Sequence, residues 1–130
     1  MVIDASAALT ALVNSEPDTD LSSRVNAGDD LHAPHLIDLE FLNALRRLVR
    51  HGQLTLDRAN DARTDFAELN IFRYPILDLA DRVWHLRDSL SAYDAAYIAL
   101  AEALDLPLIT CDGKLGRANG HTASVELFPV

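Results

Sequence analysis

Cysteine is all but missing from the 130-residue chain: Cys111 is the only one. A lone thiol excludes an internal disulfide and a cysteine-built metal cage, and fits a reducing cytoplasm. Basic residues are scarce too, 11 against 20 acidic ones, for a formal net charge of −9. That balance argues against a general nucleic-acid coat protein, which binds phosphates through an excess of Lys and Arg. It leaves room for a metal-dependent nuclease, which gathers acids at its site and needs only a local basic rim. No apolar run approaches the ~20 residues that cross a bilayer. Met1 leads straight into Val2-Ile3-Asp4, so no signal peptide is expected. Neither G-x-x-x-x-G-K-[ST] nor G-x-G-x-x-G occurs, which disfavours the common nucleotide folds.

What is present is ordinary for a globular protein: 49% apolar and 24% charged residues. One domain over residues 1–130 is expected, large enough for a real core. Its organising stretch is Ser89 to Leu104, SLSAYDAAYIALAEAL. Around a helical wheel, Asp94, Tyr97, Ile98, Ala101 and Leu104 share one stripe, and the far side is mostly alanine. Such a helix is apolar nearly all round and belongs in the interior. Asp94 then stands where an apolar side chain is expected, and a carboxylate there is costly unless paired or bound to a cation. The pattern Ser91-x-x-Asp94 also reads as a capping-box variant, with Asp94 facing the positive helix N-terminus. On this residue alone both readings stay open.

Along the chain, Val2-Ile3 reads as a strand ended by Asp4, and Ser6 as the N-cap of a helix over Ala7 to Val13, ending near Asn14-Ser15. An acidic loop, Glu16 to Asp20, precedes a short helix over Leu21 to Ala27. Leu31 to Ala33 reads as a second strand before Pro34. Leu36 to His51 reads as a long helix with an apolar stripe of Phe41, Leu42, Leu45, Leu48 and Val49, stopped by Gly52. Glu40 lies off the centre of that stripe, so periodicity does not single it out. Asp57 is expected to cap a helix running to Leu69, forming an αα-hairpin with its predecessor. Ile71 to Ile76 is a short strand candidate interrupted by Pro75. Asp78 is expected to open a helix over Leu79 to Arg87, with Val83, Trp84 and Leu86 apolar. Leu106 to Thr110 reads as a strand, followed by Asp112 and a short helix from Gly113 to Ala118. Val125 to Phe128 reads as the last strand. Strands alternating with helices predict a three-layer α/β/α fold around a short, mainly parallel sheet.

In such a sheet, strand C-termini and the N-termini of the following helices share one edge, where open α/β sheets bind ligands. Asp4 and Asp112 end strands, and Asp94 opens the helix that feeds the strand before Asp112. All three are expected at that edge. Carboxylates so close repel one another and take up protons unless a cation is present. An oxygen-only cluster suits Mg²⁺, or Mn²⁺, rather than zinc. His32, His35, His51, His85 and His121 have no ligand spacing and read as surface or structural residues. Ser6 and Thr110 lack a Ser/His/Asp partner set and read as caps or as donors behind the acids. The cluster Arg46, Arg47 and Arg50 reads as a solvated helix face, and alternatively as the local basic rim that a nuclease needs.

These stretches together resemble PIN-domain ribonucleases, specifically the VapC-type toxins of bacterial toxin–antitoxin pairs. The resemblance rests on Met1-Val2-Ile3-Asp4-Ala5-Ser6, on Ala33-Pro34-His35-Leu36 through Glu40 with Asn43 to Arg47, on Leu90 to Tyr97, and on Thr110-Cys111-Asp112 with Leu115 and Ala118. Each segment is weak alone; the ordered set spans the chain. The resemblance implies a metal-dependent endoribonuclease. It adds Glu40 to Asp4, Asp94 and Asp112 as a fourth site acid, as a ligand or as the group orienting water. It places Ser6 and Thr110 near the acids. It also implies a homodimer and a small antitoxin partner that occludes the site.

Two other readings compete. A receiver-like or phosphatase-like domain also clusters acids at a sheet edge, but predicts an acceptor Asp at the end of a middle strand. The strand in question ends in Arg73-Tyr74-Pro75, and Lys114 is displaced into the next helix. A catalytically silent PIN-like domain would bind RNA or a partner without cleavage, which four intact acids disfavour.

Overall fold

Val2–Ile3 (β1) is a two-residue strand, yet it is the central strand of the sheet. The computed structural model describes residues 1–13 and 19–128. In it, β1 is followed by α1 (Ala5–Val13), α2 (Thr19–Val25), β2 (Leu31–Pro34), α3 (Ile37–Arg50), α4 (Leu56–Glu68) and β3 (Ile71–Tyr74). A 3-10 turn (Leu77–Leu79), α5 (Ala80–His85), α6 (Ala92–Leu104), β4 (Leu108–Thr110), α7 (Gly113–Arg117) and β5 (Val125–Leu127) complete the order. The strands lie as β3-β2-β1-β4-β5, and every pair is parallel. The chain steps outward from β1 to β2 and β3, then returns to β4 on the other side of β1. The carboxyl ends of β1 and β4 are thus the switch point of an open parallel sheet, where a crevice forms. The pairing Val2↔Leu108 and Ile3↔Ile109 carries Asp4 and Thr110 side by side to that edge.

Helices flank the sheet as the alternation of elements predicts. α6 lies against β1, β2 and β4 and pairs with α5, whereas α1 packs with α2, α3 and α4. Every residue from Ala95 to Ala101 is buried, as expected for a helix apolar nearly all round. Tyr97, Ile98 and Leu100 are its largest buried side chains, and burial of such a side chain contributes roughly 1.5–3 kcal/mol. No helix among the described residues is long and apolar enough to cross a membrane.

Local starts and stops differ in places from the sequence expectations. Asp4, not Ser6, caps α1: its Oδ1 accepts the Ala7 amide at 2.9 Å and its carbonyl the Ala8 amide at 3.1 Å. Thr55, not Asp57, caps α4, accepting the Arg58 amide at 3.2 Å; Asp57 falls in the first turn. α6 starts at Ala92 rather than Ser89, because Ser91 is extended and its Oγ accepts the Asp94 amide. Asp78 sits in the 3-10 turn that precedes α5. Gly52 adopts φ of +70° after α3, the left-handed stop that its position predicts. The end of the first helix at Asn14-Ser15 and residues 16–18 of the acidic loop lie outside the described residues.

The buried stripe of α3 is Ile37, Phe41 and Leu45, so Leu42 is left 45% exposed. Trp84 is likewise 67% exposed; its face carries Arg87, whose guanidinium lies 4.9 Å from the ring. Phe41 stacks on Phe66 of α4 with centroids 4.0 Å apart, an aromatic contact that contributes about 1 kcal/mol beyond area burial. That stack fixes the rotation of α3 and hence the position of neighbouring Glu40. β3 is an edge strand, so the missing acid after Arg73-Tyr74 carries no weight against a receiver-like fold; the middle strand is β1, which ends in Asp4.

Candidate active site

The sheet edge gathers residues from four separate stretches of chain. Asp4 follows β1, Glu40 and Arg47 come from α3, Asp94 and Tyr97 from α6, and Asp112 follows β4. With Ser6 on α1 they line one cavity of about 320 Å³. The structure therefore brings together all four acids named from the sequence. Of the three clustered arginines, only Arg47 lines this cavity; Arg46 and Arg50 are exposed elsewhere on α3. Residues one apart on a helix point 100° apart, which separates Arg46 from Arg47.

Asp4 is 5% exposed, and it is the most constrained of the acids. Ser6 Oγ donates to its Oδ1 at 2.7 Å, and Thr110 Oγ1 donates to its Oδ2 at 2.5 Å. With the Ala7 amide, three donors favour the charged form, but burial outweighs them and pushes the carboxyl above its ordinary range; Asp112 adds to the rise. Thr110 is fully buried and also accepts the Asp112 amide at 2.9 Å. Ser6 in turn accepts the Cys111 amide at 3.0 Å. Ser6 and Thr110 are thus donors to the buried acid, one of the two roles read from the sequence.

Glu40 is raised too, by burial first and then by Asp94 and Asp4, while a hydrogen bond from Tyr97 opposes the rise. The Tyr97 hydroxyl donates to Glu40 Oε1 at 2.6 Å. Asp94 is raised by burial and by Asp112, against the opposing charge of Lys114 and the hydrogen bond from Ser91. Ser91 caps the helix of Asp94, as the capping reading expects, and Asp94 also lines the acidic cavity. Asp112 caps α7, its Oδ1 accepting the Lys114 amide at 2.9 Å.

The donor set is all oxygen, which matches a hard divalent cation by chemistry. Among the described residues no three acidic, histidine or cysteine side chains already form a cage for a metal ion. Asp4 is hydrogen-bonded to Thr110 and Ser6, Glu40 to Tyr97, and Asp112 to the Lys114 amide.

Tyr97 is the site residue that sequence reasoning passed over. It counted as one more member of the apolar stripe. The available signal was its hydroxyl, since a buried tyrosine needs a partner and the stripe beyond Asp94 is otherwise aliphatic.

The sequence matches the PIN domain family over residues 1–120. Ribonuclease VapC9 of Mycobacterium tuberculosis is 40% identical over 129 residues, which is 99% of this chain and 98% of that protein. Ribonuclease VapC12 of the same species is 35% identical over 127 residues, 98% of each chain. Among solved structures, PAE2754 from Pyrobaculum aerophilum superposes with a TM-score of 0.65 at 24% identity, over 88% of this chain and 75% of that one. The fold, the sequence match and the curated relatives agree, and the chain belongs to the PIN domain family, in its VapC ribonuclease branch.

Proposed function

We propose that this protein is a Mg²⁺-dependent endoribonuclease that hydrolyses RNA phosphodiester bonds, the toxin of a toxin–antitoxin pair. The observation that carries the reading is the meeting of Asp4, Glu40, Asp94 and Asp112 around one cavity at the switch point of the sheet. The relatives' names as ribonucleases support it. Asp4, Asp94 and Asp112 would hold the ion, with Mn²⁺ as a possible substitute. When bound there, the ion supplies a Lewis acid that lowers the pKa of water and neutralises charge growing on the phosphoryl oxygens.

The chain's own residues do the rest. Ser6, Thr110 and the Ala7 amide hold the Asp4 carboxylate in one orientation. Tyr97 holds Glu40 at the cavity wall, where its raised pKa suits it to orient water and take its proton. Arg47 at the same wall neutralises part of the incoming phosphate charge. Arg46 and Arg50 are outside the cavity, so any guiding role for them would act at longer range. A homodimer, an antitoxin partner that covers the site, and a cytoplasmic location complete the proposal.

The test is RNA cleavage with added Mg²⁺. Asp4→Asn and Asp94→Asn should each abolish it while circular dichroism stays that of the parent. Full cleavage by pure Asp94→Asn protein would sink the reading. Mg²⁺ binding without cleavage of any RNA would favour the silent binding domain instead.

A further inference from the structure

A second cavity, of about 560 Å³, opens between the turn that links α5 to α6 and helix α7. It shares one wall residue, Asp94, with the acidic cavity, so the two adjoin at that residue. Ser89 and Asn119 line it with polar groups, and Lys114 and Arg117 supply its positive charge. Its volume is in the range of a small-ligand site.

Lys114 is the only lysine in a chain of net charge −9. It stands three residues before Arg117, so both side chains leave the same face of α7. Arg24, Arg73 and Arg82 are each paired to a carboxylate at 2.7–3.1 Å. Lys114 and Arg117 make no such pair among the described residues. Arg117 folds back over Gly113: a Cβ on that glycine would lie 2.7 Å from Arg117 Nη1. The absent side chain at position 113 therefore lets the guanidinium lie close to the backbone next to Asp112.

Cations outside any salt bridge, beside the acids that would cut a phosphodiester, fit a polyanion whose next phosphate lies along this cavity. A side-chain hydroxyl, an amide and the Asp88 carboxylate at the same wall offer partners for the base and the ribose 2′-hydroxyl, which is how single-stranded RNA is read. We propose that this cavity is the subsite for the nucleotide adjoining the cleaved bond, with Lys114 and Arg117 holding its phosphate. The inference rests on the ribonuclease reading above for its substrate class.

The probe is a short fluorescent single-stranded RNA, titrated into Asp4→Asn protein at several salt concentrations with Mg²⁺ present. Adding Lys114→Ala/Arg117→Ala should raise Kd on the order of tenfold and flatten the log K against log salt slope by about 0.7, the share of one lost phosphate contact on a single strand. The swap Lys114→Arg/Arg117→Lys should preserve binding. Arg58→Ala/Arg63→Ala on α4, with the same change in net charge, should leave affinity and slope unmoved. Parent-like affinity and slope in the double alanine variant would overturn the subsite, as would an absence of any RNA binding. Cleavage by otherwise wild-type protein is read separately. Lys114- and Arg117-dependent binding without cleavage would sink the ribonuclease reading and keep the subsite. Cleavage with unchanged KM in the double alanine variant would sink the subsite and keep the ribonuclease.

Discussion

Tyr97 and Glu40 stand 57 residues apart in sequence and share a hydrogen bond of 2.6 Å, the phenol donating to the carboxylate. One hydroxyl thus ties the first turn of α3 and the middle of α6 together at the acidic cavity. Tyr97 is 1% exposed, and burial, then Glu40, pushes its ionisation far above the ordinary range. It remains a neutral donor at any pH the protein meets.

Tyr97→Phe keeps the ring and deletes that donor. Glu40 loses the partner that holds its pKa down, while burial and the charges of Asp94 and Asp4 stay. Its titration in metal-free protein, followed by NMR of the side-chain carboxyl, should move upward. Stability should change by only about 1 kcal/mol, since packing is retained and Glu40 is half open to water. RNA cleavage should fall on the order of tenfold through lost orientation of the carboxylate. An unmoved Glu40 titration would show that the bond does not set the carboxylate's charge.

Stability of the metal-free protein should fall as pH rises. Asp4, Glu40 and Asp94 all have folded-state pKa values above their ordinary range. Between about pH 4, where unfolded carboxylates release protons, and those raised values, the folded state binds more protons than the unfolded one. Stability then decreases through that window and stays reduced above it. Asp94 tests this best, because an acid in the first turn of a helix is ordinarily stabilising, yet here burial and Asp112 outweigh that benefit. Asp94→Asn should raise the thermal midpoint at pH 7.5 by roughly 2–5 °C, with the gap closing toward pH 4. A midpoint below the parent's at pH 7.5 would show that the helix terminus wins.

The parts of this site legible in the sequence are those set by short-range pattern. Val2-Ile3 followed by Asp4, and Ile109-Thr110 before Asp112, are strand ends that any parallel sheet delivers to one edge. Asp94 was visible as a charge on an apolar helix. Glu40 was not visible from periodicity, because its approach depends on how α3 is rotated. That rotation is set by Phe41 against Phe66 of another helix. The caps were misread for a similar reason. Ser6 and Asp57 suit an N-cap by type, but the strand-to-helix turn at Asp4 and the hydroxyl of Thr55 reach the free amides first. Arg46, Arg47 and Arg50 read as a solvated helix face, with a rim as the alternative, and α3 sends only Arg47 to the cavity.

Thr110 is the last test of how the site is held. Its hydroxyl is fully buried, donates to Asp4 Oδ2, accepts the Asp112 amide and lies 3.3 Å from Ser6 Oγ. Thr110→Val keeps the shape and removes the hydroxyl. The Asp112 amide then loses its acceptor, and the most buried acid loses the strongest of the groups that hold its pKa down. An unsatisfied buried partner costs about 1–3 kcal/mol. Thr110→Ser keeps the hydroxyl and loses a methyl, which costs about 1 kcal/mol. Both variants should therefore unfold at lower denaturant, but only the valine should lose RNA cleavage, at least on the order of tenfold, because only it frees the Asp4 carboxylate to turn. Equal cleavage by the valine and serine variants would mean that this hydroxyl supports the fold and does not position the acid.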